Sequence, residues 1–175
     1  MDNIIYFLGQ FFGIVAVLVG FVCFQMKSQK GILSLQIATA SLFALHYLFI
    51  GAMIGTALNI VAAVMCVAYY IRDKRGSNGK ALPVFFTILV LVMSILTWDR
   101  WYCIFIAIGL VLNAICLAFS NPQRVRMWML IKTPMCFIYN AFTFSLGGMA
   151  YELAAFISSV IGIIRERKNI GGDVK

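Results

Sequence analysis

Residues 51–75 read GAMIGTALNIVAAVMCVAYYIRDKR, a run of about twenty apolar positions that ends abruptly in four charged side chains. About 20 residues of helix cross a hydrocarbon core of about 30 Å, so the run has the length of one membrane span. Residues 144–168, FSLGGMAYELAAFISSVIGIIRERK, follow the same plan. With a shift of 93 residues and no gap, Gly55 meets Gly148, Ala57 meets Ala150, Ala62 meets Ala155, Val67 meets Val160 and Ile71 meets Ile164. Arg72-Asp-Lys-Arg75 then meets Arg165-Glu-Arg-Lys168 sign for sign. Apolar matches arise easily in such a chain, so the charge tetrad, the glycine and the span lengths carry the repeat.

The same pattern extends outward to the whole sequence. Of its 175 residues 63% are hydrophobic and 11% charged, far from the soluble average. The apolar runs are too long and too evenly apolar for the alternating strands of a barrel, and lipid-exposed backbone must satisfy its own hydrogen bonds, which leaves helices. Spans are expected at residues 4–24, 32–50, 52–71, 82–97, 102–119, 127–144 and 149–164, with Gly51 and the pair Gly147, Gly148 marking the two shortest turns. The fold class read from this is an all-α integral membrane protein of seven transmembrane helices in a 3+1+3 arrangement. Residues 1–75 form a first three-helix repeat, 76–97 a cytoplasmic loop and linker helix, 98–168 a second repeat and 169–175 a cytoplasmic tail. Three is odd, so one intervening helix restores the first unit's orientation and makes the repeats parallel. Small-solute carriers use this plan, with the site near the midplane where the halves face each other.

Charge orients the bundle. On seven spans, one side collects Lys27 and Lys30; Arg72, Lys74, Arg75 and Lys80; Arg124 and Arg126; and Arg165, Arg167, Lys168 and Lys175, twelve of the fourteen basic residues. The other side holds Arg100, next to Asp99, while Lys132 falls inside the sixth span. Cytoplasmic loops carry the excess of Lys and Arg, so the N-terminus is expected outside and the C-terminus in the cytoplasm. The net charge of +8 is thus a topological signal and a contact with anionic lipid. Four short loops make no contiguous basic face, which excludes a nucleic-acid partner. Only Asp2 precedes the first span and no small-residue cleavage site follows it, so it reads as a retained helix rather than a signal peptide. Trp98, Trp101 and Trp128 sit where interfacial anchors are expected.

The loops carry a resemblance. Gln25-Met-Lys-Ser-Gln-Lys30 ends the first span and Ser120-Asn-Pro-Gln-Arg124 the fifth. Pro122-Gln123 and the degenerate Ser28-Gln29 resemble the Pro-Gln dipeptide of the PQ-loop family, and the three-one-three plan is similar to that of the SWEET sugar facilitators and the PnuC-type vitamin transporters. Over most of its length the chain resembles more specifically the YgjV-type bacterial inner-membrane proteins. That likeness rests on Ser28-Gln-Lys-Gly31, on a polar second span with Gln36 and His46-Tyr47, and on Gly51, Gly55 and Asn59 at four-residue intervals. It implies a place in the bacterial inner membrane. The transporter resemblance implies gate or hinge roles for Ser28, Gln29, Pro122 and Gln123, with Pro134 of the sixth span read either as a hinge or as a passive kink.

Ionisable groups at membrane depth are costly, so each is a functional candidate. Glu152 pairs by repeat with Asn59, about 10 Å in from the outer turn on the third helix of each half. In the sugar facilitators an Asn on that helix faces the substrate, which the resemblance transfers to Asn59. A carboxylate at Glu152 departs from that pattern and points to a cationic or proton-coupled ligand; the plainer reading is a hydrogen bond to a neighbouring helix. His46 pairs with Tyr139 and Tyr47 with Asn140, either lining the same cavity or bonding between helices. Lys132, about a turn inside the cytoplasmic end of its span, is read as snorkelling to the interface. Gln36 and Asn113, without polar mates, are read as packing contacts. The glycines at 9, 13, 20, 51, 55 and 148 allow close helix approach, and the five cysteines, without ligand spacing, are read as small packing residues.

No HExxH, GxSxG or paired intramembrane carboxylates are present, so neither an enzyme nor a metal or cofactor is expected. The leading function is passive or proton-coupled transport of a small polar solute, with the lipid bilayer as the other partner and the oligomeric state open. The alternative is a non-transporting membrane receptor or interaction protein.

Overall fold

The computed structural model describes residues 2–26, 29–75, 81–117 and 122–172, and these form seven α-helices. They are α1 (Asp2–Gln25), α2 (Gln29–Phe49), α3 (Met53–Arg75), α4 (Ala81–Leu96), α5 (Cys103–Cys116), α6 (Pro122–Phe142) and α7 (Leu146–Gly172). Pro83 and Pro122 stand in the first turns of α4 and α6, where a missing N–H has no intrahelical partner to lose. Pro134 lies inside α6, which continues through it.

Packing follows chain order within each half. α2 lies against α1 and α3, and α6 against α5 and α7. The halves join where α1 meets α7 and where α3 meets α5, while α4 packs across α3 and α5. The core is apolar, as in a water-soluble bundle, but large apolar side chains also cover the outside and several polar ones are buried. Ile4, Ile95 and Leu96 are 75%, 74% and 72% exposed, whereas His46, Asn140, Ser145 and Glu152 are buried. Four helices, at Ile4–Cys23, Lys30–Phe49, Met53–Arg75 and Leu146–Arg165, are long and apolar enough to cross a membrane.

Lipid tails are as apolar as leucine, so helices in a bilayer associate chiefly through close packing and interhelical hydrogen bonds. The α1–α7 joint shows the first: a Cβ added at Gly147 would lie 2.6 Å from the carbonyl carbon and 2.7 Å from the Cα of Gly13. Gly147 and Gly148 therefore stand inside α7 and do not form its turn, contrary to the sequence expectation. The turn is Thr143 to Ser145, with Phe144 in the left-handed region at φ 51°. Ser145 ends it as an N-cap: its N–H donates to Asn140 O at 2.9 Å, and its Oγ accepts the N–H of Gly148 at 3.1 Å.

In the α2–α3 turn, Gly51 takes φ +78° and a Cβ there would meet nothing within 4 Å. Gly51→Ala therefore isolates the backbone cost, and a loss of about 1–2 kcal/mol in a reversible detergent unfolding titration is expected. A change under about 0.3 kcal/mol would mean that the turn tolerates an ordinary residue.

Candidate functional site

Between the halves lies a cavity of about 80 Å³ with walls from α2, α3, α5, α6 and α7. Of the six binding candidates named from the sequence, the fold brings Tyr47, Asn59, Asn140 and Glu152 to this cavity and leaves His46 and Tyr139 outside it. Asn59 and Glu152 come six residues after the first residues of α3 and α7, about 9 Å along each helix. Asn59 lines the cavity and donates from Nδ2 to the carbonyl of Gly55 at 2.8 Å. Glu152 is 7% exposed, shares the cavity wall with Cys136, and keeps Oε2 buried without a hydrogen-bond partner.

One end of the cavity is closed by side chains. Tyr47 donates its hydroxyl to Asn140 Oδ1, tying α2 to α6. Room for this pair comes from two glycines: a Cβ at Gly55 would strike the Tyr47 ring, and one at Gly148 would strike the Asn140 amide. Tyr139, with its ring 5.9 Å from that of Tyr47, borders a second recess of about 260 Å³ that also touches Gly51, Asp99, Arg100 and Tyr102. The two tyrosines thus stand between recess and cavity.

His46 serves the joint between α1, α2 and the Ser145 turn. It is fully buried, with Nδ1 2.7 Å from the carbonyl of Gly9 and Nε2 2.6 Å from Ser145 Oγ. A carbonyl only accepts, so Nδ1 carries the proton, and the neutral ring accepts the Ser145 hydroxyl at Nε2. Both ring nitrogens are therefore occupied by structure.

Three side chains read from the sequence as incidental reach the cavity: Lys132, Gln36 and Asn113. Lys132 is the important correction. α6 begins at Pro122, five residues before the expected start, which places Lys132 ten residues from either end and about 15 Å from both. Its side chain is not directed to the helix end: the residue stands on the cavity wall, within electrostatic range of Glu152. Thr39 and Tyr151 were not singled out at all. The signal for Thr39 was its place 93 residues before Lys132, and for α6 it was the four-residue spacing of Lys132, Cys136 and Asn140.

Of the hinge candidates, Ser28 lies outside the described residues. Gln29 and Pro122 begin α2 and α6 and Gln123 follows, with their side chains outside the description. Pro134 supplies no N–H to the carbonyl of Leu130, in the turn of α6 that holds Lys132.

A family model described as Imp-YgjV, bacterial inner membrane protein, matches residues 7–170. No curated protein and no solved structure matches the chain.

Proposed function

Because the chain belongs to the Imp-YgjV family of bacterial inner membrane proteins, we propose that it is a carrier in that membrane, moving a small polar solute through the cavity between two three-helix repeats. The single observation that carries this is the Glu152 carboxylate oxygen, buried without a partner on the wall of a polar cavity at membrane depth. Buried polar groups at such depth are costly and mark ligand or ion pathways.

The repeat reading draws support from the helices themselves. α2 and α6 have 21 residues each and both of their ends are offset by 93, as are the starts of α3 and α7. Gly51 and Phe144, the two left-handed turn residues, are mates at the same offset. Four mated pairs line one cavity: Thr39 with Lys132, Phe43 with Cys136, Tyr47 with Asn140, and Asn59 with Glu152. The kinship to the PQ-loop, SWEET and PnuC plans is part of the same proposal.

All seven helices cross, with the N-terminus outside and the C-terminus in the cytoplasm. Arg72, Lys74 and Arg75 end α3 on the side where α6 begins with Arg124 and Arg126, which agrees with a cytoplasmic face. α4 and α5 span only about 24 and 21 Å, which local thinning of the bilayer accommodates. No enzymatic step is assigned to the cavity, and without an ATP-binding motif movement is passive or ion-coupled.

Sealed vesicles containing the purified chain test the proposal with labelled glycine, β-alanine, methylammonium, acetate and glycerol. Saturable uptake of at least one is expected, falling about tenfold or more in Glu152→Gln through loss of a charged hydrogen bond. Saturable binding without uptake favours the receptor reading instead.

A further inference from the structure

We propose that the central cavity takes a small zwitterion, an amino-acid-like solute whose anionic group meets Lys132 and whose ammonium meets Glu152. The inference rests on the carrier reading for what the cavity is for, and names the class of solute it holds.

Glu152 and Lys132 are placed on the cavity by different helices, α7 and α6, and each lies within electrostatic range of the other. Among the described residues they form no ion pair within 4.0 Å, the two such pairs being Arg72–Asp73 and Arg100–Asp99. Opposite charges in a poorly screened interior attract strongly, so a pair held apart across a cavity leaves both poles to whatever fills the gap. Glu152 shows this directly: Oε2 is shielded from solvent yet has no donor.

Charge balance then selects the ligand. A lone cation satisfies Glu152 but is repelled by Lys132, and a lone anion meets the reverse. An uncharged polyol offers only dipoles to two desolvated charges. A zwitterion supplies both opposite poles and keeps the occupied site neutral. Asn59, whose amide gives one hydrogen to Gly55, adds a further polar group to the same cavity. Size narrows the class, because a cavity of about 80 Å³ has about half the roughly 150 Å³ of a cavity that takes up benzene. That favours amino acids with little or no side chain. The lysine thus revises the sequence expectation of a cationic or proton-coupled ligand.

Melting of the purified full chain in detergent with glycine, β-alanine, methylammonium, acetate or glycerol provides the test. A rise of about 5 °C at saturation is expected for at least one zwitterion and not for the other three solutes. Lys132→Met combined with Glu152→Gln removes both poles, leaves no unpaired charge, and is expected to lose the shift while still melting cooperatively. An equal or larger shift with methylammonium, acetate or glycerol, silence of both zwitterions, or a zwitterion shift that survives in the double variant overturns the proposal. The wild-type comparison decides alone if the double variant does not fold. Vesicle uptake separates the two readings: glycerol flux with silent zwitterions sinks the zwitterion and keeps the carrier, whereas zwitterion binding without flux keeps the site and sinks the carrier.

Discussion

Gly147→Ala is expected to destabilise the bundle by about 3 kcal/mol, although it adds one methyl group to a position where alanine is the better helix former by about 1 kcal/mol. The added Cβ would fall 2.6 Å from the backbone carbon and 2.9 Å from the oxygen of Gly13, and backbone atoms cannot rotate aside as a side chain can. α1 and α7 must therefore move apart at one of the two joints between the halves. That movement also strains bonds anchored nearby, Gln10 Nε2 to the carbonyl of Phe144 at 3.0 Å and His46 to the carbonyl of Gly9 at 2.7 Å. Gly147→Val, with a branched side chain at the same place, is expected to leave no folded protein. Unfolding in mixed micelles by increasing sodium dodecyl sulfate, with Gly51→Ala as the reference for a cost carried by the backbone alone, checks both. A Gly147→Ala protein within about 0.5 kcal/mol of wild type would show that the helices do not cross this closely.

The contrast between these glycines shows where sequence reasoning reached and where it stopped. Helix number and order were legible because most apolar runs end at a polar or charged break, as at Arg72 to Arg75, and the two shortest turns were marked by glycines. The turn before α7 was not. Two adjacent glycines suggested a break, but the turn is set by Ser145 capping Gly148 and by Phe144 accepting a left-handed backbone that glycine usually takes. A serine three residues before Gly148 was a readable cap, outweighed by the glycines. Tyr47, Asn140, Asn59 and Glu152 were legible as cavity residues through the repeat, since mates on parallel units approach a common centre. His46 was not separable from them, because the partners that occupy its ring, Gly9 and Ser145, are 37 and 99 residues away in sequence. Lys132 was misjudged because its place along the span did not tell which way it faces: the fold sets it on the cavity wall, beside residues of four other helices.

Its place on the cavity wall makes Lys132→Met the second large effect, about 1–3 kcal/mol, since the buried Glu152 carboxylate loses the opposite charge across the cavity. Glu152 is the group left behind, 7% exposed with Oε2 unpartnered. Methionine keeps the apolar stem of lysine, so little of the loss comes from packing. Adding Glu152→Gln removes the stranded charge and keeps a side chain of the same shape beside Cys136, so the double variant is expected to be more stable than Lys132→Met alone. The expected coupling, taken from the two singles and the double in the same unfolding titration, is about 2 kcal/mol. A snorkelling lysine would give the opposite pattern: a single substitution costing under about 1 kcal/mol and losses that add within about 0.5 kcal/mol. Coupling of the expected size requires the two charges to sense each other across the cavity, which is the condition on which recognition of a two-poled solute depends. Additive losses would remove the physical ground for the zwitterion while leaving the cavity, its tyrosine partition and the repeat untouched.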